Sequence, residues 1–144
     1  MGTRSKIAIE DQDGTVRSIY CHWDGYPSHH GPILLEHYTT QEKVESLIEL
    51  GSISSLAQET EIPEGVAHSF DNPAKGIVVA YHRDRKEDLA IGSHPNVEAF
   101  VKSDVQQYGY VFTAAGEWLF VNGHKDSYTR EAILLETVVE KETE

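Results

Sequence analysis

The chain holds one cysteine, Cys21, among 144 residues. A single thiol excludes an intrachain disulfide framework and any cysteine-rich zinc module, and it fits a reducing compartment. Bases are scarce: 12 Lys and Arg stand against 24 Asp and Glu, a formal net charge of -12. A general coat for DNA or RNA needs a basic field to release counterions, so that role is excluded, as is docking on anionic membrane. Long apolar runs are also missing. Nothing approaches the roughly 18–20 residues of a membrane span. The start, Met1-Gly2-Thr3-Arg4-Ser5-Lys6, has no apolar stretch behind it that would make a secretory signal, and Lys6 breaks the myristoylation spacing. A soluble cytosolic protein is expected. No G-x-S-x-G, Walker loop or dinucleotide fingerprint occurs, so no cofactor is expected. The eight histidines show no H-E-x-x-H spacing, and no metal is expected either.

What is present is one domain's worth of sequence, with aromatic and β-branched residues along its whole length. Residues 3–22 read as a β-hairpin. Ile7 and Ile9 share one face, Arg4 and Lys6 the other, and Asp11-Gln12-Asp13-Gly14 forms the turn. In the second strand Val16, Ser18, Tyr20 and His22 point one way, and Arg17, Ile19 and Cys21 the other. Residues 23–31 read as a loop, followed by a helix with Pro32 in its first turn. A second helix spans about 41–50, capped by Thr40 and ended by Gly51. Residues 52–75 read as loop, and 76–83, the most apolar run, as a central strand. A helix at about 95–106, strands at 108–113 and 117–122, and a helix favoured over a strand at 129–141 complete the chain, with Glu140 to Glu144 as an acidic tail. The pattern predicts a single α+β domain: an antiparallel sheet of about five strands with three to four helices packed on one face.

Two stretches concentrate chemistry. Tyr20-Cys21-His22-Trp23-Asp24-Gly25-Tyr26-Pro27 carries a strand end into a glycine-proline loop, a usual place for a site. It reads equally as a structural turn, with Trp23 and Tyr26 packing on the core edge and Asp24 bonding the loop backbone. Tyr81-His82-Arg83-Asp84-Arg85 holds two of only five arginines, the fork-shaped donors that suit phosphate or carboxylate. Its alternative reading is a solvated strand end with Arg–Asp pairs. Its His-Arg-Asp triplet is not a kinase catalytic loop, because no glycine-rich loop or paired lysine accompanies it. Cys21 shares the parity of Ile19, and burial as a small hydrophobe is expected.

Several blocks also resemble a group of small bacteriophage-encoded accessory proteins. They are Thr3-Arg4-Ser5, Ser18 through Pro27, Leu34-Leu35-Glu36-His37-Tyr38, Leu50 through Leu56, Tyr81 through Arg85, and Tyr110-Val111-Phe112-Thr113 with Gly116-Glu117-Trp118. Members of the group carry a glycine after the Asp-Arg pair, where this chain has Lys86. The resemblance implies an accessory protein in the cytoplasm of an infected bacterium, and brings no activity with it. Three functions follow from that setting. The first is a sponge that sequesters a phosphate-bearing nucleotide immune signal. The second is an acidic inhibitor of a host protein, and the third is an enzyme that degrades a signal. The aromatic and arginine inventory favours the first without catalysis. Trp23, Tyr26 or Tyr81 would stack on a base, Arg4, Arg83 and Arg85 would clamp phosphate, and His22 and Asp24 would line the same site. Trp23 and Arg83 are expected to line one concavity. Apolar and aromatic residues in loops predict a homo-oligomer.

Overall fold

The turn at Asp11–Gly14 sets the register of everything around it. Gly14 takes φ 90, a left-handed angle open to glycine, and Asp13 accepts from both the amide (3.0 Å) and the hydroxyl (2.6 Å) of Thr15. Strands β1 (Ser5–Glu10) and β2 (Val16–Cys21) therefore pair antiparallel, with Ile7 opposite Ile19 and Lys6 opposite Tyr20. The computed structural model describes residues 2–143, with side chains through 139.

A mixed sheet grows from this hairpin. Helices α1 (Pro27–His37) and α2 (Gln41–Ile48) carry the chain from β2 to β3 (Ile53–Ser55), which lies parallel to β2. Strand β4 (Val79–Ala80) pairs antiparallel with β3, and helix α3 (Tyr81–Arg85) follows directly. Strand β5 (Gly92–His94) returns to β2, and α4 (Val97–Lys102) leads to the hairpin β6 (Tyr108–Phe112) and β7 (Trp118–Asn122). Strand β6 lies parallel to β1, β8 (Ile133–Leu134) closes the far edge against β7, and α5 (Leu135–Thr143) ends the chain. The order is β4-β3-β2-β1-β6-β7-β8, with β5 joined to β2 off that path.

Side chains alternate across the sheet, and both faces are covered. Ile7, Ile9, Ile19, Cys21, Tyr110, Phe112, Trp118 and Phe120 pack with Leu34 of α1, Val44, Leu47 and Ile48 of α2, and Leu135 of α5. Ala8, Val16, Val111 and Val121 face the other way, against Phe100 and Val101 of α4. Within β1, residues 7–9 are all buried, as a strand covered on both sides requires.

The α+β class holds, while the arrangement differs from the antiparallel, one-faced expectation. Two contacts, β1 with β6 and β2 with β3, are parallel, and α4 lies opposite the other long helices. Helix α1 begins at Pro27, inside the expected loop, and Pro32 sits in its interior. Pro32 and Ser28, four residues before it, are both exposed, so the carbonyl left without a donor faces water. The apolar run at 76–83 gives only a two-residue strand, because the backbone turns at Tyr81 into α3. Residues 129–141 supply both β8 and the start of α5, and the helix continues to Thr143 through the expected tail. Among the described residues no helix is long and apolar enough to cross a membrane.

Candidate functional site

The second of the two chemistry-bearing stretches is structural. Asp84, with its side chain 3% exposed, accepts from the Ala80 amide (2.8 Å), from the Arg83 guanidinium (2.8 and 3.0 Å) and from His68 Nε2 (3.1 Å). The His68 ring is fully buried and its Nδ1 accepts from the Ala74 amide, which leaves the proton on Nε2 to donate to Asp84. Burial pushes the Asp84 carboxyl up, but Arg83, the Ala80 amide and His68 together hold it below its ordinary value. Arg83 also donates to the carbonyls of Thr60 and Val78. All three nitrogens of its fork are thus engaged by the chain itself, tying the 52–75 segment to α3. Arg85 stacks over Phe70 (4.3 Å) and Tyr81 (5.1 Å) and pairs with Glu87. The two guanidiniums expected to clamp phosphate are thus engaged within the chain, Arg83 by hydrogen bonds and Arg85 by Glu87 and two neighbouring aromatic rings. The depression of about 560 Å³ beside Arg83 is lined by Ser46, Glu49, Leu50, Thr60, Glu61 and Ile62. Trp23 is not among them, so the two residues do not share that concavity.

Part of the 23–31 loop is structural too. Asp24 holds a left-handed backbone (φ 56) and accepts from the Tyr26 hydroxyl at 3.3 Å, and its charge pushes that phenol up. Gly25 passes so close to Ser5 and Thr3 that a Cβ there would sit 2.7 Å from Ser5 Cβ, and its carbonyl accepts from Tyr110 (2.6 Å). Behind the loop His30 is fully buried, with Nε2 3.2 Å from Ser5 Oγ and Nδ1 3.0 Å from His29 Nδ1. Burial, with a smaller contribution from His29, drops its pKa to about 3, so it is neutral. Cys21 is buried with its thiol pushed up to about 12, an inert side chain as its parity indicated.

The remaining candidates meet on the opposite face of the hairpin. Ser5 points to His30 and α1, so the alternating neighbours Arg4 and Lys6 point away from it. Lys6 lies opposite Tyr20 in the β1–β2 register. Tyr20 bonds His22 through its hydroxyl (2.8 Å to Nδ1), and the His22 and Trp23 rings meet at right angles with centroids 4.7 Å apart. Burial pushes the Tyr20 phenol up, Arg4 pulls it down and Tyr81 adds to the rise, which places both residues within electrostatic reach of Tyr20. Trp23 is 44% exposed, an unusual display for an indole.

This face also has a cavity. β2 is flanked by β5 near its start and by β3 at its end, so the sheet forks beside Ser18 and Tyr20. A depression of about 360 Å³ opens there, lined by Lys6, Ser18, Tyr20, Ser52 and residues 89–92. Gly92 is required at its floor, because a Cβ would meet Ser18 Oγ at 2.9 Å. Ser18 Oγ lies 3.2 Å from His94 Nε2, and burial, aided by the charge of Lys6, holds that imidazole below its ordinary pKa.

Arg17 is held by Asp11 and Glu45, and Arg130 donates to the carbonyls of Val101, Ser103, Gly123 and Lys125. Among the described residues Arg4 is thus the one arginine of the five whose guanidinium has no hydrogen-bond or ion-pair partner. Lys6 has no ion-pair partner there either. Among the described residues no group of three His, Cys, Asp or Glu is arranged to hold a metal ion. No protein-family model, curated protein or solved structure matches this chain. Sequence reasoning missed Lys6, Ser18, Tyr20, Ser52 and the 89–92 segment as site residues. The signal for the first three was available, because hairpin pairing plus strand parity brings Arg4, Lys6, Ser18, Tyr20 and His22 to one face.

Proposed function

We propose that this chain is a phage-encoded counter-defence protein. In this reading it binds and sequesters a phosphate-bearing nucleotide immune signal, without catalysis, in the cytoplasm of the infected bacterium. The observation that carries the reading is an arginine with no partner among the described residues, Arg4, within electrostatic reach of Tyr20, whose half-buried ring adjoins His22 and the exposed Trp23. A nucleotide needs an anion clamp and a stacking surface. Lys6 and the neighbouring depression add a second cation and a place for a sugar or base. The net charge of -12 does not oppose this, since a local field decides the sign of a pocket. Self-association belongs to the same reading, with Ile133 and Leu134 of the edge strand β8, 46% and 38% exposed, as apolar surface that a second copy would cover.

Titration calorimetry across a nucleotide panel tests the proposal. Binding is expected, with the ligand recovered chemically intact after heat denaturation. Arg4→Ala is expected to weaken it by about 1.5–3 kcal/mol through loss of a charge-assisted bond, and Arg4→Lys to restore only part. Altered ligand would move the protein to the signal-degrading class. No binding anywhere in the panel, with one host protein captured instead, would favour the inhibitor reading, for which the excess of acidic residues is the supporting observation.

A further inference from the structure

Depressions elsewhere on the molecule carry acids in their linings: Glu49 and Glu61 beside Arg83, Glu98 and Glu131 along α4, Glu117 and Glu136 near β8. The fork between β3 and β5 differs, because its lining holds one charged residue, Lys6, and no carboxylate. Lys43 and Lys102 pair with Glu59 and Glu98, whereas Lys6 has no ion-pair partner among the described residues. In a chain of net charge -12 the fork is therefore a local cationic site. Lys6 comes from β1, Ser18 from β2 and Ser52 from the residue before β3, so three donors from three parts of the sheet border one depression. Ser18 is only 2% exposed, and its hydroxyl lies 3.2 Å from His94 Nε2. His94 also meets the Phe100 ring of α4 in a T shape, with centroids 5.3 Å apart, and the charge of Lys6 reaches it from β1. The α4 side chains Glu98 and Lys102 bond each other (2.9 Å). Burial and Lys6 both disfavour the imidazolium, so His94 is neutral at pH 7.

Resting on the nucleotide reading above, we propose that the fork holds a terminal phosphate monoester of the ligand, a dianion, between Lys6, Ser18 and Ser52. His94 takes up a proton as the anion binds. Lys6 then supplies one positive charge and the imidazolium the second, which together match the dianion. The proton also sets Ser18. Nε2 of a neutral imidazole can accept the Ser18 hydrogen, whereas Nε2 of an imidazolium carries its own hydrogen and can only donate. Ser18 Oγ then accepts from His94, and its hydrogen is released toward a phosphoryl oxygen. His94 is thus a positioning residue that acts through Ser18. A phosphodiester brings one charge and two terminal oxygens in place of two charges and three oxygens, and suits this set less well. The depression, about 360 Å³, exceeds one phosphoryl group and leaves room for the sugar.

The test uses the full chain and three probes: adenosine 5′-monophosphate, adenosine 3′,5′-cyclic monophosphate and inorganic phosphate. Proton NMR follows the His94 imidazole through a pH titration, without ligand and with each probe at millimolar concentration. Calorimetry at pH 7 gives the affinities. The monoester and inorganic phosphate are each expected to raise the His94 pKa by at least about one unit, and the cyclic diester to leave it nearly in place. The monoester is expected to bind at least about tenfold tighter than the diester. Lys6→Gln is expected to weaken the monoester by about tenfold or more. His94→Gln keeps a donor and an acceptor for Ser18 but has no proton to gain. It is expected to abolish the dependence of the binding enthalpy on the buffer's ionisation and to narrow the preference for monoester over diester. Thermal melting checks the fold of both variants, and the His94 titration needs neither. A diester that binds as tightly as the monoester overturns the fork site and leaves the nucleotide reading standing. So does a His94 titration unmoved by a bound nucleotide. Inorganic phosphate that raises the His94 pKa while neither nucleotide binds keeps the fork site and overturns the nucleotide reading. Absence of binding by all three probes overturns both.

Discussion

His30 makes the stability of the fold depend on pH in a window that opens well above the range of the carboxylates. Its ring is fully buried between Ser5, His29 and Tyr110, and burial lowers its pKa from 6.5 to about 3. In the unfolded chain the same imidazole takes up a proton near pH 6.5. Between pH 6.5 and pH 3 the unfolded state therefore binds more protons, and stability falls as pH falls. The loss approaches about 5 kcal/mol at the acid end, and about 2.5 kcal/mol of it falls between pH 6 and pH 4. Asp84 behaves differently. Its depressed carboxyl stabilises the fold above pH 3.8 and loses that effect only as pH falls through the lower folded value. His94 shares the sign of His30, but it is present in wild type and variant alike and cancels in their difference. The perturbation is His30→Gln, which keeps a donor and an acceptor for Ser5 and His29 but has no proton to gain. Urea unfolding of both proteins at pH 6, 5 and 4 is the assay. The variant is expected to be the less stable at pH 6, through lost packing, and the gap is expected to close by about 2.5 kcal/mol by pH 4. Parallel stability curves for the two proteins would refute the reasoning.

Other consequences follow from single positions. Arg83→Ala is expected to lower stability by about 1.5–3 kcal/mol, because it strips charge-assisted bonds from Asp84 and from the carbonyls of Thr60 and Val78. Nucleotide affinity of the folded fraction is expected to stay unchanged, which denaturant melts and calorimetry read separately. Lys86 holds a left-handed backbone, φ 57 and ψ 33, at the end of α3. Lys86→Gly removes roughly 1–2 kcal/mol of steric cost and adds about 0.5–1 kcal/mol of chain entropy to lose. A net gain of up to about 1.5 kcal/mol is expected in chemical denaturation, and a loss would show that the αL conformation is not strained here.

Local signals were legible in the residues, and long-range ones were not. The β1–β2 and β6–β7 hairpins, the Thr40 cap and the inward parity of Cys21 each follow from a few adjacent side chains. How the two hairpins meet does not. The parallel contact between β1 and β6 joins segments about a hundred residues apart, and nothing in either strand states a direction. The run Ile77-Val78-Val79-Ala80 is buried throughout and reads as a strand, yet only two of its residues pair in one. The bonds that turn the chain at Tyr81 come partly from His68 and Thr60, well upstream. The same distance effect explains the arginines. Arg83 and Arg85 looked available because part of what engages them, Thr60 and Phe70, is remote in sequence. Arg4 was named beside them as a clamp, and what sets it apart, the lack of a partner among the described residues, is visible only once the hairpin is folded.

Amide and side-chain NMR shifts during titration with adenosine 5′-monophosphate test most directly whether this face is the binding site. Ligand at the fork and its adjoining aromatic end moves the signals of Arg4, Lys6, Tyr20, His22 and the exposed Trp23 indole. The buried Trp118 indole, bonded to the Tyr38 carbonyl on the other side of the sheet, stays still and serves as the internal control. Shifts centred instead on Ser46, Glu61 and Arg83, or no saturable shifts at millimolar ligand, would contradict the assignment.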